Sequence, residues 1–465
     1  MKAHIIGVSG VAMSATAKLL LDAGWEVSGS DDSFYPPAST YAQKLGIPFF
    51  HGYKPENIPT DVDLVIIGRN AKLAPDSNPE VKEALARKLT IKSYPEVLAE
   101  LFADKHRVVV AGSFGKSTVT SLIAWVLLHA GKDPGYFIGA YPIDMEYTSS
   151  HGSGDIAVLE GDEYLTSHFD DRSKFLHYSP KDIVLTAVEH DHFNVFPSFD
   201  SYKEPFKKLI QGLPEDGLLV ASYDDPSTHP FWTMAPKVVT YGLADGADWY
   251  AKEIVYGETT TFILTNGDTQ IQLQTKLLGA HNVQNIVGAA AFLLTRDLVT
   301  EDELVEAIRV FSGVKRRLNK ITKQSKIPAY EGFGSSYEKA ESAIKAMRLH
   351  FPNKKLVVLF EPHAFSWRNR DALSWYDTIF EGIKSVIVSD PDLQGASTHT
   401  QLTRAEILKR INDAGVRAVG AETKEEIHDA LKAVLEEDSV LLILSSGNLH
   451  GALDTLPSWL DQTFS

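Results

Sequence analysis

Apolar residues along this chain come largely as short unbroken runs separated by helix-spaced stretches. His4–Val8, Val108–Ala111, Ile156–Glu160, Ile183–Val188 and Leu218–Ser222 each read as a strand with both faces covered. Leu19, Leu20 and Leu21 belong to a helix that stops near Gly24. Val119, Leu122, Ile123, Val126 and Leu127 fall at helical spacing ahead of Gly131. The pattern restarts twice, around residues 103–107 and after Gly313. In the last part, strand candidates Leu356–Phe360, Ser385–Ser389 and Val440–Ser445 alternate with helical segments near 338–349, 371–382, 403–413 and 423–436. One stretch differs. From Trp249 to Lys276 the chain is rich in Thr, Ile and Tyr, with Asn266-Gly267 between two alternating runs, which predicts an appended antiparallel hairpin. The expected fold class is α/β, in three consecutive units: 1–104, 105–313 and 314–465.

Composition narrows the function classes. The chain has 465 residues and a formal charge of −16, which argues against coating nucleic acid. It has no cysteine, so disulfides, thiolate catalysis and Cys-ligated metal sites are excluded. No secretory h-region opens the chain and no apolar stretch is long enough to cross a membrane. The expectation is a cytoplasmic, non-redox protein without membrane insertion.

The strongest motif is the strand–loop–helix around Gly112-Ser113-Phe114-Gly115-Lys116-Ser117-Thr118. Backbone N–H groups at a glycine turn and helix N-terminus surround phosphate oxygens, Lys116 adds a point charge, and Ser117 offers a hydroxyl to Mg²⁺. The usual spacing places a glycine at position 110, where this chain has Val110, so the loop is a shorter variant. Glu160, Asp162 and Glu163 follow an apolar strand. Glu160 is the favoured inner ligand of Mg²⁺, with a solvated acidic turn as the alternative. Glu189-His190-Asp191-His192 also follows a strand, and either histidine could be structural instead. Asn282 and Asn285, before an apolar run, could read an adenine edge, or Asn282 could cap a helix. Lys315-Arg316-Arg317 could meet a phosphoryl group or form a solvated basic face. At the start of the chain, Gly7, Ser9 and Gly10 form a small-residue turn, and Asp31 ends the second strand, as in a dinucleotide-type βαβ unit; the G-x-x-G spacing equally fits a plain glycine turn of any α/β protein.

Taken in order, GSFGKST, LEGDEY, EHDH, GAHNVQN and FSGVKRR resemble the ATP-dependent Mur ligases of peptidoglycan synthesis over essentially the whole chain. The resemblance implies a three-domain architecture: an N-terminal Rossmann-like UDP-sugar-binding domain, a central P-loop ATPase with appended strands, and a C-terminal Rossmann-like lid. It is strongest to the branches acting on UDP-N-acetylmuramate, which add either L-alanine or the peptide L-alanyl-γ-D-glutamyl-meso-diaminopimelate. Residues 30–40 (SDDSFYPPAST), 170–180, 193–199 (FNVFPSF), 360–363 and 445–456 lean toward the peptide branch. The implied chemistry is an acyl phosphate made from ATP and attacked by an amine, with ATP and Mg²⁺ as cofactors. The implied assembly is a monomer or weak homodimer.

By the same resemblance, Gly112, Ser113, Gly115, Lys116, Ser117 and Thr118 cradle ATP, and Ser117 and Glu160 hold one Mg²⁺. His192 serves a second metal, Asn282 and Asn285 flank adenine, and Arg317 meets phosphate. Gly7, Ser9, Gly10 and Asp31 handle the UDP moiety. The chain departs from the family where Ser113-Phe114 replace Thr-His, and where Glu331-Gly332-Phe333-Gly334-Ser335-Ser336 replaces a segment with an acid pair and a histidine pair. A degenerate protein that binds UDP-sugar or ATP without ligating is therefore one alternative, and another amide ligase of the same fold a second.

Overall fold

The computed structural model describes residues 1–32, 38–192, 194–390 and 401–465. Within the stretches noted above, positions 33–37 and 193 lie outside the described residues. The chain packs as two compact units. One comprises Met1–Ile254, Phe262–Thr275 and His281–Phe311; the other comprises Val255–Thr261, Lys276–Ala280 and Ser312–Ser465. The expected boundary near residue 104 separates two sheets inside the first unit.

The first sheet is wholly parallel, in the order Phe49–His51, Glu26–Asp31, Lys2–Ile6, Leu64–Ile67, Ile91–Lys92. Its opening strand ends two residues earlier than the apolar run suggests. Gly7 turns the chain at φ +87°, and its N–H and that of Val8 both donate to the Ser30 carbonyl. Gly29 has no room for a side chain: a Cβ there would lie 2.7 Å from Cβ of Val8. Beneath the sheet a buried carboxylate, Glu80, accepts from Ser30, Asn57 and the Lys54 N–H, with His4 at 3.4 Å. Burial opposes its charge, but those donors outweigh burial and hold it below its ordinary range.

The second sheet has ten strands. In order they are Gln270–Thr275, Thr260–Thr265, Trp249–Val255, Val238–Gly242, Leu218–Ser222, Asp182–Leu185, His106–Ala111, Ile156–Gly161, Gly135–Phe137 and Ser149–Ser150. The strand His106–Ala111 lies between two parallel neighbours, and its last four residues are fully buried, which explains its unbroken apolar run. Strands Thr260–Thr265 and Gln270–Thr275 are neighbours, as the alternating runs predict. Four residues join them, with Gly267 at φ +95°. The third sheet belongs to the second unit. It runs Arg317–Lys320, Ala329–Gly332, Ser439–Leu444, Lys355–Phe360, Ser385–Ser389, Ala418–Ala421, parallel except for the first pair. The helix expected near 371–382 is instead a 3₁₀ segment, Arg370–Asp377. Among the described residues, no helix is long and apolar enough to cross a membrane.

Candidate active site

Three adjacent parallel strands, Ile156–Gly161, His106–Ala111 and Asp182–Leu185, end on the same edge of the ten-stranded sheet. Segments 112–117, 160–163 and 186–192 therefore leave the sheet side by side. This is the edge where parallel sheets bind ligands. The sequence places these segments far apart; strand order gathers them.

The candidate phosphate loop, residues 112–118, is shaped by two glycines. Gly112 has φ +137°, and a Cβ there would lie 2.2 Å from Thr186 Oγ1 and 2.7 Å from the Ala187 carbonyl oxygen. Gly115 is left-handed at φ +80° and caps the helix Lys116–His129. Ser117 and Thr118 lie in the first turn of that helix, both about nine-tenths buried. Ser113 hydrogen-bonds through Oγ to both the carbonyl (2.7 Å) and the N–H (2.8 Å) of Glu189 and to Tyr202 OH (2.9 Å), so the loop keeps side-chain polar contacts at this position. The Phe114 ring beside it is 43% exposed.

Carboxylates and cations interleave around the loop. Glu160 accepts from Ser117 Oγ (2.8 Å) and from the Gly139 N–H (2.7 Å). Glu163, with a side chain 1% exposed, pairs with Lys116 at 3.0 Å and accepts from Tyr202 OH at 2.9 Å. His192 Nε2 stands 3.6 Å from the same carboxylate, its ring edge-on to Tyr164 at 4.9 Å between centroids. Asp162 pairs with Lys174 at 2.6 Å. Burial works against the Lys116 charge, yet Glu163, Asp162 and Glu160 together raise its affinity for the proton above the ordinary lysine range. Burial likewise opposes the Asp162 charge, while Lys174 and Lys116 more than compensate and lower it. Three carboxylates face two ammonium groups, all with hard oxygen donors on the acidic side. That donor set suits Mg²⁺. No cluster of three or more His, Asp or Glu forms a closed metal cage among the described residues, so any ion here would complete its shell with phosphate or water.

The remaining expected residues divide. Asn282 and Asn285 lie in the first turns of the helix Ala280–Thr295, both buried, with Asn285 Nδ2 donating to Asn282 Oδ1 at 3.2 Å. Asn282 is thus inside the helix and does not cap it. A Cβ on Gly115 would lie 2.6 Å from Asn285 Oδ1, so this amide touches the phosphate loop. His190 Nε2 engages the Phe196 carbonyl at 2.8 Å and holds a turn. In the N-terminal sheet, Asp31 orders the Gly7–Gly10 loop: it accepts from the Ser9 N–H (3.0 Å) and hydroxyl, and from Tyr53 OH at 3.0 Å. Arg317 lies in the second unit at the start of an edge strand, exposed, its N–H on the Val314 carbonyl. Its neighbour Arg316 is more engaged, with Glu331 at 3.2 Å and the Gly447 carbonyl at 2.9 Å. Burial raises the proton affinity of Glu331 despite Arg316 and Lys315. At the altered segment, Ser336 caps the helix Tyr337–His350, and Ser335 Oγ accepts from Lys339 Nζ at 3.3 Å. Sequence reasoning missed Tyr202, Lys174 and Gly139. Tyr202 and Gly139 carry no motif, and Lys174 is one lysine among many.

A glycine-turned loop leading into a helix from the carboxyl edge of a parallel sheet, with a lysine at the helix start, is the arrangement of the P-loop class of nucleotide-binding α/β proteins. Residues 2–106 match the Mur ligase family catalytic domain, and residues 110–293 match the Mur ligase middle domain. The chain is 30% identical over 454 residues to a UDP-N-acetylmuramate–L-alanine ligase of Aquifex aeolicus, covering 96% of this chain and 95% of that one. A Thermotoga maritima UDP-N-acetylmuramate–alanine ligase superposes with a TM-score of 0.80 at 23% identity over 98% of this chain and 99% of that one. The UDP-N-acetylmuramate:L-alanyl-γ-D-glutamyl-meso-diaminopimelate ligase of Neisseria superposes with a TM-score of 0.60 at 30% identity, covering 68% of this chain and 99% of that one. The chain belongs to the Mur ligase family and is an ATP-dependent ligase.

Proposed function

We propose that this ligase joins the carboxylate of UDP-N-acetylmuramate to the amine of an amino acid or short peptide, in the synthesis or recycling of peptidoglycan. The observation that carries the reading is the convergence of Lys116, Ser117, Glu160, Glu163 and His192 on one sheet edge beside the phosphate loop. The γ-phosphoryl group of ATP passes to a carboxylate oxygen of the muramate, giving an acyl phosphate and ADP. The amine nitrogen then attacks the acyl carbon, the C–O bond to phosphate breaks, and the nitrogen loses a proton as the amide forms.

In this reading, loop N–H groups from Gly112 to Thr118 and the Lys116 ammonium bind the β- and γ-phosphates. Ser117 and Glu160 would hold one Mg²⁺ and His192 would serve a second; the ions would offset phosphate charge during transfer. Asn282 and Asn285 flank adenine, Arg317 meets phosphate, and Gly7, Ser9, Gly10 and Asp31 shape the UDP subsite. Asp31 acts indirectly in this reading, through the loop its carboxylate orders by accepting from the Ser9 N–H and Tyr53 OH. ATP and nucleotide sugars are intracellular metabolites, and the cytoplasm is the proposed location.

The test is phosphate release from ATP with UDP-N-acetylmuramate, run separately with L-alanine, L-serine, glycine and L-alanyl-γ-D-glutamyl-meso-diaminopimelate, with and without Mg²⁺. One amine should drive release, and Lys116→Ala should lower that rate by about 10³-fold or more. Release unchanged in Lys116→Ala, or absent with every amine while UDP-N-acetylmuramate binds tightly, would overturn the assignment.

A further inference from the structure

The candidate phosphate-binding Lys116 and the candidate metal ligand His192 share one buried carboxylate, Glu163. That carboxylate is itself held from behind. A carboxylate has no proton to give, so the Tyr202 hydroxyl donates to it. Burial, reinforced by Glu163, pushes the Tyr202 phenol far above its ordinary range, so it remains a donor. Tyr202 is completely buried, and its oxygen lies 2.9 Å from Ser113 Oγ. Ser113 receives the Glu189 N–H, and its single proton serves either Tyr202 or the Glu189 carbonyl. A relay therefore runs from the phosphate loop at Ser113, through Tyr202, to the carboxylate that grips Lys116.

We propose that Glu163, oriented by Tyr202 and Ser113, is a positioning residue that aims Lys116 at the transferring phosphoryl group, with the His192 ring held against the same carboxylate. This rests on the ligase reading above and extends it to residues whose side chains need not touch the substrate. In the resting protein Glu163 is the carboxylate paired with the buried Lys116 ammonium, with Asp162 and Glu160 adding to the negative field around it. When nucleotide enters, its phosphates compete with Glu163 for the Lys116 protons. Two effects of opposite sign follow. Removing the Glu163 charge frees Lys116 and tightens nucleotide binding, while loss of alignment slows turnover. A residue that only supported the fold would weaken both.

The experiment pairs calorimetric titration of ADP in EDTA, where phosphates meet the loop without a divalent ion, with steady-state phosphate release in Mg²⁺. Glu163→Gln should bind ADP roughly fivefold more tightly and turn over at least about tenfold more slowly. Tyr202→Phe, which removes one oxygen from the interior, should shift both quantities in the same directions by smaller factors. It carries the test if Glu163→Gln fails to fold. ADP binding that is unchanged or weaker, or turnover within twofold of the parent, in these variants would overturn the relay. If the parent itself releases no phosphate with any amine, the ligase reading fails, while the ADP titration still decides whether Glu163 competes for Lys116.

Discussion

Glu160 can be displaced without altering any side chain of the site, by adding one methyl group opposite it. Gly139 follows the strand Gly135–Phe137, and its N–H donates to Glu160 Oε2 at 2.7 Å. A Cβ at this position would lie 2.9 Å from Oε1, 3.0 Å from Cδ and 3.1 Å from Oε2 of Glu160, against 3.4 Å for ordinary contact. Gly139→Ala therefore drives the carboxylate away by about 0.5 Å. The 2.8 Å hydrogen bond from Ser117 Oγ lengthens accordingly. A hydrogen bond to a charged acceptor is worth about 1.5–3 kcal/mol. Misplacement of about 1 Å at a reacting centre costs on the order of 10²-fold in rate. Together these place the loss in kcat at about 10- to 100-fold. Stability should hardly move. The atom struck is the far end of a flexible side chain, Gly139 is exposed, and its backbone is not left-handed. Alanine also removes about 0.4–1 kcal/mol of unfolded-state freedom. Phosphate release at saturating ATP, a Mg²⁺ titration of the rate and a thermal melt decide the matter. A kcat within twofold of the parent would refute the placement of Glu160. So would lost activity accompanied by a large fall in Tm, because that would locate the damage in the fold.

Other perturbations follow from the same geometry. Arg296→Met strips a fully buried Asp182 of its guanidinium and leaves it the His106 ring and the Leu218 N–H, so the variant should lose about 3 kcal/mol in urea unfolding at pH 7. Burial opposes the Asp182 charge, but His106 and Arg296 lower its proton affinity below the ordinary range; this stability is present above the ordinary value near pH 3.9 and lost as pH falls through the lowered one. The deficit of the variant should therefore persist from pH 7 down to about pH 4 and shrink only below it, and a deficit already lost at pH 5 would contradict the assignment. Gly112→Ala forces a methyl group onto Thr186 and the Ala187 backbone at φ +137°, and should cost about 2–5 kcal/mol from overlap and backbone strain. The same variant should lose nucleotide binding in a titration; tight binding with an unchanged melt would refute the loop geometry.

Much of the fold was legible because local rules and tertiary environment agree. The run Val108–Ala111 is unbroken because neighbours pair both its edges and layers cover both its faces. Asn266-Gly267 marked the turn between two neighbouring strands. Boundaries slipped where one residue redirects the backbone, as Gly7 does after Ile6. The segment near 371–382 shows apolar spacing compatible with a helix, yet it forms a tighter 3₁₀ turn whose Tyr376 hydroxyl donates to the Trp367 carbonyl at 2.8 Å. Tyr202 was unreadable as a site residue. It occupies the apolar face of the helix Phe199–Gln211, where a tyrosine looks like core, and only the approach of Glu163 and Ser113 gives its hydroxyl a task.

By itself the sequence determined the chemistry available: a glycine-turned loop, a lysine, hard oxygen donors, histidine, and no thiols. It also determined α/β layering, because short apolar runs alternate with helix-spaced ones. The tertiary structure decided which of these groups meet. Parallel pairing of Ile156–Gly161, His106–Ala111 and Asp182–Leu185 carries three distant segments to one edge. There Glu163 is paired with Lys116 and Glu160 is fixed by Ser117 and Gly139, while in the N-terminal sheet Asp31 is turned to its own loop. Motif spacing reports residue types along a line. Charge pairing and hydrogen bonding act over about 3 Å in space, a scale that appears only once the strands are ordered.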